Sequence, residues 1–410
     1  MGVLPEGDAP PADGLLPEHA RRGAEARDFG IYIHIPFCTV RCGYCDFNTY
    51  TPGELPGLSQ DDYPHRVFEE LDLAAKVLEA SGVHSRTVDT VFIGGGTPTL
   101  LAPHTLGQML RRVESHWGLS DQVEVTVEAN PDTLSAKSLA DLAAQGVTRV
   151  SVGVQSFVPH VLSTLDRTHT PESVPAVVRA AADAGLQVSL DLIYATPGES
   201  AADWQESLDR ALELEPDHIS AYSLIVEPGT ALARRIRRGE CEQIDDDTQA
   251  EFYEQADATL SAAGYQWYEV SNWSRRPDAL SRHNLNYWLG GDWWGIGPGA
   301  HSHVGGVRWW NVKHPLAYQE RVDRGESPAQ GREVLDEHTR WVESVMLGLR
   351  TRQGLSTKAL SDHYPPARQI LRDALEAGWL DADAFAVDRV ELTRAGRLFA
   401  DGLSARLTGG

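Results

Sequence analysis

Three cysteines, Cys38, Cys42 and Cys45, fall close together with the spacing C-x3-C-x2-C. They follow the β-rich run GIYIHI, on a loop with enough slack for three thiolates to converge on three corners of one cuboid [4Fe-4S] cluster. A fourth iron is then left without a cysteine. It can be chelated by an amino and a carboxylate group such as those of S-adenosylmethionine (SAM), which sets the sulfonium beside an electron source. Three cysteines also suit zinc, with His34 or a distant residue as the fourth ligand.

Cysteine usage favours a metal over a disulfide framework, because the chain has only four cysteines and three are clustered. Cys241, alone in RRGECEQIDDD, reads as a free surface or half-buried thiol. Further residues supply what a SAM site needs. In GGGTPT, residues 94–99, small side chains let the backbone approach a ligand's amino and carboxylate groups. Glu128 can accept from ribose hydroxyls or be a solvated loop carboxylate, and Gln155, Arg167 and Asp191 admit the same two readings.

The elements that must position these residues alternate from Gly30 onward. Short β-rich runs (GIYIHI, TVDTVFIGG, VEVTVEANP, RVSVGVQSF, VSLDLIYATP, HISAYSLIVEP) are separated by stretches with apolar residues at i, i+3 and i+4. Six βα repeats by about residue 230 predict an α/β chain with a partial (β/α)6 TIM-like barrel, two units short of the full eight. A doubly wound sheet has the same periodicity and competes with it. In both architectures sites form at the C-terminal ends of the strands, where the cysteines, GGGTPT, EANPD and QSF all fall.

The expected organisation is a disordered tail over 1–28, the βα domain over 29–230, an aromatic-rich α+β extension over 231–330, and a helical, winged-helix-like domain over 331–410. Seven of the eleven tryptophans lie in the extension: Trp267, Trp273, Trp288, Trp293, Trp294, Trp309 and Trp310. They read as a core and a lid over the barrel mouth, or as walls for a planar apolar ligand. In the last domain, WLDAD and RVELT are expected to form a hairpin. The formal net charge of -23 argues against a general nucleic-acid binder. No apolar stretch reaches the roughly 20 residues of a membrane span, and the first residues carry no signal-peptide pattern, so a cytoplasmic location is expected.

With these residues in view, the chain from Gly30 onward resembles the coproporphyrinogen-III-oxidase-like branch of the radical SAM superfamily. YIHIPFCTVRCGYCDF, GGGTPT, EANP, GVQSF and DLIYATPGES carry the resemblance, in the expected order. It implies that Cys38, Cys42 and Cys45 bind the cluster, and that Tyr32, Gly95 and Glu128 contact the SAM on it. It further implies that Tyr44, Gly96, Thr97, Gln155, Arg167 and Asp191 line the rest of the pocket, where the oxidase can hold a second SAM.

Two features sort the members of this branch. The oxidase carries a further cysteine two residues after the third, and here that position is Phe47. His283-Asn-Leu-Asn-Tyr-Trp288 matches the HNxxYW signature of the branch's heme chaperones, the HemW group. Imidazole is a good axial ligand for heme iron, so His283 is the candidate heme contact, with Tyr287 and Trp288 as apolar walls and His301 and His303 as rivals. The resemblance thus implies a protein that binds heme and a SAM-liganded [4Fe-4S] cluster and passes heme to acceptor apoproteins such as respiratory enzymes. The competing expectation is an enzyme, an oxygen-independent coproporphyrinogen III oxidase that decarboxylates propionates by radical chemistry. A metal-stabilised DNA-binding regulator is a third reading, disfavoured by the acidic charge.

Overall fold

The computed structural model describes residues 7–55, 57, 59–83 and 86–409. Six strands alternate with helices: β1 (Phe29–Ile35), α1 (Tyr63–Ala80), β2 (Val88–Gly95), α2 (Pro103–Trp117), β3 (Leu119–Ala129), α3 (Ala136–Ala144), β4 (Arg149–Gln155), α4 (Pro159–Thr164), α5 (Val174–Asp183), β5 (Gln187–Tyr194), α6 (Ala201–Glu213) and β6 (His218–Ser223). The helices begin where local chemistry favours it. Ser135 and Ser200 form capping boxes with Ser138 and Asp203, and prolines open α1, α2, α4 and α5.

Strands β1 to β6 are parallel and neighbour one another in sequence order. Every crossover therefore steps the same way, which bends the sheet into a partial barrel and excludes the doubly wound alternative, whose strand order reverses. Val91 and Ile93, Val125 and Val127, and Val150 and Val152 pack outward in the main core with the helices.

The region after β6 divides between both edges of this sheet. It contains α7 (Ala231–Arg237), α8 (Asp246–Ala262), β7 (Gln266–Glu269), β8 (Asn272–Ser274), α9 (Arg282–Trp288), β9 (Asp292–Ile296), β10 (His301–Val304), β11 (Val307–Asn311), α10 (Pro315–Asp323) and β12 (Ala329–Val334). β8 pairs antiparallel with β6, whereas β9 pairs parallel with β1, giving a twelve-stranded sheet in the order β12-β11-β10-β9-β1-β2-β3-β4-β5-β6-β8-β7.

Three expectations are corrected here. The aromatic segment is no lid over the cysteine-bearing mouth: Trp267, Trp273, Trp294, Trp309 and Trp310 are buried in the sheet extensions, and none of the seven tryptophans lines the cavity described below. The first 28 residues are not a disordered tail where described. Leu16, Ala20 and Ala24 join the main core, and Asp8 exchanges two backbone hydrogen bonds with Arg332 on edge strand β12. An edge strand offers unpaired N–H and C=O groups, and the segment is held beside it also by Leu16 N–H on Ser81 Oγ and Ser327 N–H on Ala12 O.

The third correction concerns the C-terminal region. α11 (Glu337–Gly348), β13 (Leu355–Ser356), α12 (Thr357–His363), α13 (Ala367–Glu376), α14 (Ala382–Ala386), β14 (Arg389–Val390), α15 (Arg394–Arg397) and α16 (Ala400–Thr408) surround their own apolar core. The expected hairpin shrinks to one bridge, Leu380 with Leu392. Helix α14 intervenes, and β14 pairs instead with β13.

Candidate functional site

The loop after β1 is tied down at both ends before its cysteines do anything. Cys38 N–H donates to Tyr50 O at 3.0 Å, Tyr50 N–H donates to Pro36 O at 2.7 Å, and the Asn48 amide donates to Pro298 O and Lys313 O in the extension. The GGGTPT turn is lashed to the same loop, with Gly96 N–H on Ile35 O and Thr97 N–H on Phe37 O. Two glycines in the turn are required. Gly95 has φ +116°, and a Cβ on Gly96 would lie 2.3 Å from Phe37 O and 2.9 Å from Cys38 Sγ.

Thirteen of the residues singled out from sequence line one cavity of about 500 Å³: Cys38, Cys42, Cys45, Tyr32, Tyr44, Gly95, Gly96, Thr97, Glu128, Gln155, Arg167, Asp191 and His283. Arg167 donates to Asn130 Oδ1 and Gly153 O at 2.7 Å and reaches Cys42 Sγ at 3.4 Å. A β-bulge between Gly153 and Gln155 and a left-handed Gln155 (φ 65°) end β4 at the cavity wall. Glu128 Oε2 accepts from Gly95 N–H at 2.9 Å, and burial raises its carboxyl to about 7. Asp191 accepts from Ser151 Oγ at 2.7 Å and is likewise raised, chiefly by burial.

The chemistry of the donor set suits a cluster with one open iron, because three thiols of one loop line the cavity. His34 is not free to complete a zinc site, because its Nδ1 is bonded to Tyr32 Oη and its Nε2 to Asn48 O, both at 2.9 Å. Burial raises the Cys38 thiol, and the Cys45 thiol to about 11, so a metal has to displace their protons on binding.

Below the cysteines the barrel interior is polar almost to its floor. The inward positions are Thr126 and Glu128 on β3, Arg149 and Ser151 on β4, Ser189 and Asp191 on β5, and His218 and Ser220 on β6. A filled barrel carries branched apolar side chains there. Here polar side chains line an open cavity instead. Most of these residues were missed from sequence, although a signal existed. Parallel strands covered on both faces read as continuous apolar runs, whereas VTVE, RVSV, VSLD and HISA alternate.

Helix α9 closes the floor at the N-terminal ends of the strands. Glu124 on β3 accepts the N–H groups of Arg282 and His283, anchoring the helix start, and it lies 3.5 Å from buried Arg149. His283 is almost fully buried and stacks on Phe92, its ring centroid 5.2 Å away. Its Nδ1 is bonded to Thr90 Oγ1 at 2.8 Å and its Nε2 to Tyr287 Oη at 2.7 Å. Burial lowers its pKa to about 3, so the ring is neutral. The rival histidines lie outside the cavity: His303 is bonded to Gly291 O and Gly306 N–H, and His301 stacks on Trp310.

The family model described as the Radical SAM superfamily matches residues 32–211, and the one described as the HemN C-terminal domain matches residues 335–399. Heme chaperone HemW of Mycobacterium tuberculosis is 49% identical over 382 residues, covering 93% of this chain and 95% of that protein. The chain belongs to the HemW family. Heme chaperone HemW of Bacillus subtilis is 34% identical over 380 residues, 90% of this chain and 96% of its own. Coproporphyrinogen III oxidase (HemN) from Escherichia coli shares the fold, with a TM-score of 0.79 at 22% identity over 95% of this chain and 92% of its own. In this HemW-family chain Phe47 stands beside the cluster loop with its ring exposed at the cavity mouth. No helix among the described residues is long and apolar enough to cross a membrane.

Proposed function

We propose that this protein is a cytoplasmic heme chaperone that holds a SAM-liganded [4Fe-4S] cluster, binds heme, and transfers it to acceptor apoproteins such as respiratory enzymes. The observation that carries this reading is near full-length identity of 49% to a protein named as a heme chaperone. Cys38, Cys42 and Cys45 would hold three irons. When bound, the cluster and SAM together would supply an electron and a cleavable sulfonium. Tyr32, Gly95 and Glu128 would contact that SAM, with Tyr44, Gly96, Thr97, Gln155, Arg167 and Asp191 lining the space beside it.

Under this reading His283 is the heme ligand. Its support is chemical. The ring is neutral, and an Nδ1–H donated to a second residue, here Thr90 Oγ1, is the arrangement that orients ligating imidazoles. Nε2 is the nitrogen that would bind iron, and Tyr287 is the partner it would have to exchange.

The test is anaerobic reconstitution of the cluster, followed by absorbance titration of heme into wild type and His283→Ala, with coproporphyrinogen III turnover assayed in the same preparation. Stoichiometric heme binding, weakened by the substitution and accompanied by no turnover, is expected. Turnover without stable heme binding would make the protein an oxidase.

A further inference from the structure

Among the described residues large apolar side chains are exposed at few places, and four of them surround one opening. Val40 is 50% exposed, Phe47 59%, Tyr222 40% and Ile225 69%, and all four line the mouth of the cysteine cavity. Val40 and Phe47 belong to the cysteine loop after β1. Tyr222 and Ile225 belong to the end of β6 and the loop that follows it. These are the two edges of the parallel barrel, which do not pair with each other. The edges are held near one another at the mouth, because Leu232 N–H at the start of α7 donates to Gly43 O at 2.8 Å. The rim is therefore a built feature and not a collection of unrelated surface residues.

We propose that this rim is the seat on which an apolar, planar macrocycle lays its face, the tetrapyrrole of the proposed heme-chaperone function, on which this inference rests. Continuity and shape favour a small flat ligand. The apolar rim opens directly into a cavity of about 500 Å³, and concave apolar sites carrying a few polar groups are small-molecule sites. A stable protein interface needs roughly 800 Å² from each partner, far more than four side chains around an opening provide. This seat is separate from the His283 contact, which lies at the buried end of the cavity and is not reached by a macrocycle resting on the rim. His283 and Tyr287 are bonded to each other there, and the inward positions above them are polar. Arg41, also at the mouth, is ion-paired with Glu54 at 3.0 Å and would have to exchange that partner to meet the carboxylate edge of such a ligand. Phe47 gains a role in this account. It replaces a potential sulfur ligand with an exposed ring, and aromatic rings stack well on flat conjugated faces.

The test titrates hemin by absorbance into the full-length, cluster-reconstituted protein. The variants are Phe47→Ser with Ile225→Asn, Ile225→Asn alone, and Val387→Ser, an exposed apolar residue of the C-terminal domain, as the control. The double variant is expected to raise Kd at least about tenfold, Ile225→Asn severalfold, and Val387→Ser not at all. Iron content and SAM binding are measured in parallel. If the Phe47 change lowers iron, Ile225→Asn decides, because it lies outside the cysteine loop. Unchanged hemin affinity in that variant overturns the proposal. Unchanged affinity with slowed transfer to an acceptor apoprotein also overturns it, making the rim a protein-docking surface. A wild type that binds no hemin overturns the chaperone reading itself.

Discussion

Thr90 on β2 and His283 on α9 are joined by a 2.8 Å hydrogen bond inside the barrel, at the end opposite the cysteines. The register sets this contact. Thr90 lies opposite Gly30 on β1, and a Cβ on Gly30 would come within 3.1 Å of the imidazole. Replacing Thr90 with Val keeps the shape and leaves a buried ring nitrogen without a partner. A loss of about 1–3 kcal/mol in urea unfolding is expected. If His283 ligates heme through Nε2, the same variant also weakens heme binding by loosening the ring.

Gly96→Ala places a methyl group against the Phe37 carbonyl and the Cys38 sulfur. The Phe37 carbonyl is backbone and cannot yield alone, so the cysteine loop has to shift. Iron and sulfide content after reconstitution is expected to fall sharply while far-ultraviolet circular dichroism stays at the wild-type value. Full cluster loading would show that the turn and the loop are not coupled.

Glu70 on α1 ties that helix to the extension, accepting from Gly297 N–H, Asn311 Nδ2 and Tyr318 Oη. Burial nevertheless raises its carboxyl to about 7. A native pKa above the unfolded value means that the folded state binds the proton more tightly. The associated stability is complete below about 4.5 and is lost as pH rises through about 7. The stability of wild type relative to Glu70→Gln is therefore expected to fall between those pH values. Parallel urea titrations across the range check this, and a constant difference would refute it.

Asp257 on α8 is the main ionic tie to the C-terminal domain. It accepts from Trp273 Nε1 and Arg397 Nη1 on one oxygen and from Arg394 Nε on the other, and the Arg397 guanidinium stacks 3.7 Å from the Trp267 ring centre. Asp257→Ala leaves two cations without their partner. A cost of about 3 kcal/mol and faster proteolytic release of the C-terminal domain are expected. The arginines hold the Asp257 carboxyl below its usual range despite its burial. Its contribution is therefore present at neutral pH and lost as pH falls through that lowered value. The gap between wild type and Asp257→Asn should close in acid.

What could be read from the chain alone was the chemistry held by local sequence. Cysteine spacing is a loop property, strand and helix periodicity is local, and the glycine turn and HNLNYW are contiguous, so each was visible without a fold. The direction of winding was not visible, because a single and a double winding share one periodicity and differ only in which strands become neighbours. Placement of the segment after β6 was also decided by tertiary pairing. β8 found the free edge of β6 and β9 found that of β1, which put α9 under the floor and buried the tryptophans away from the cavity. The tail before β1 looked too polar to order, yet an unpaired edge at β12 gave its backbone a partner. A sequence records which side chains are present, but unpaired edges and enclosed polar space exist only once distant segments have met.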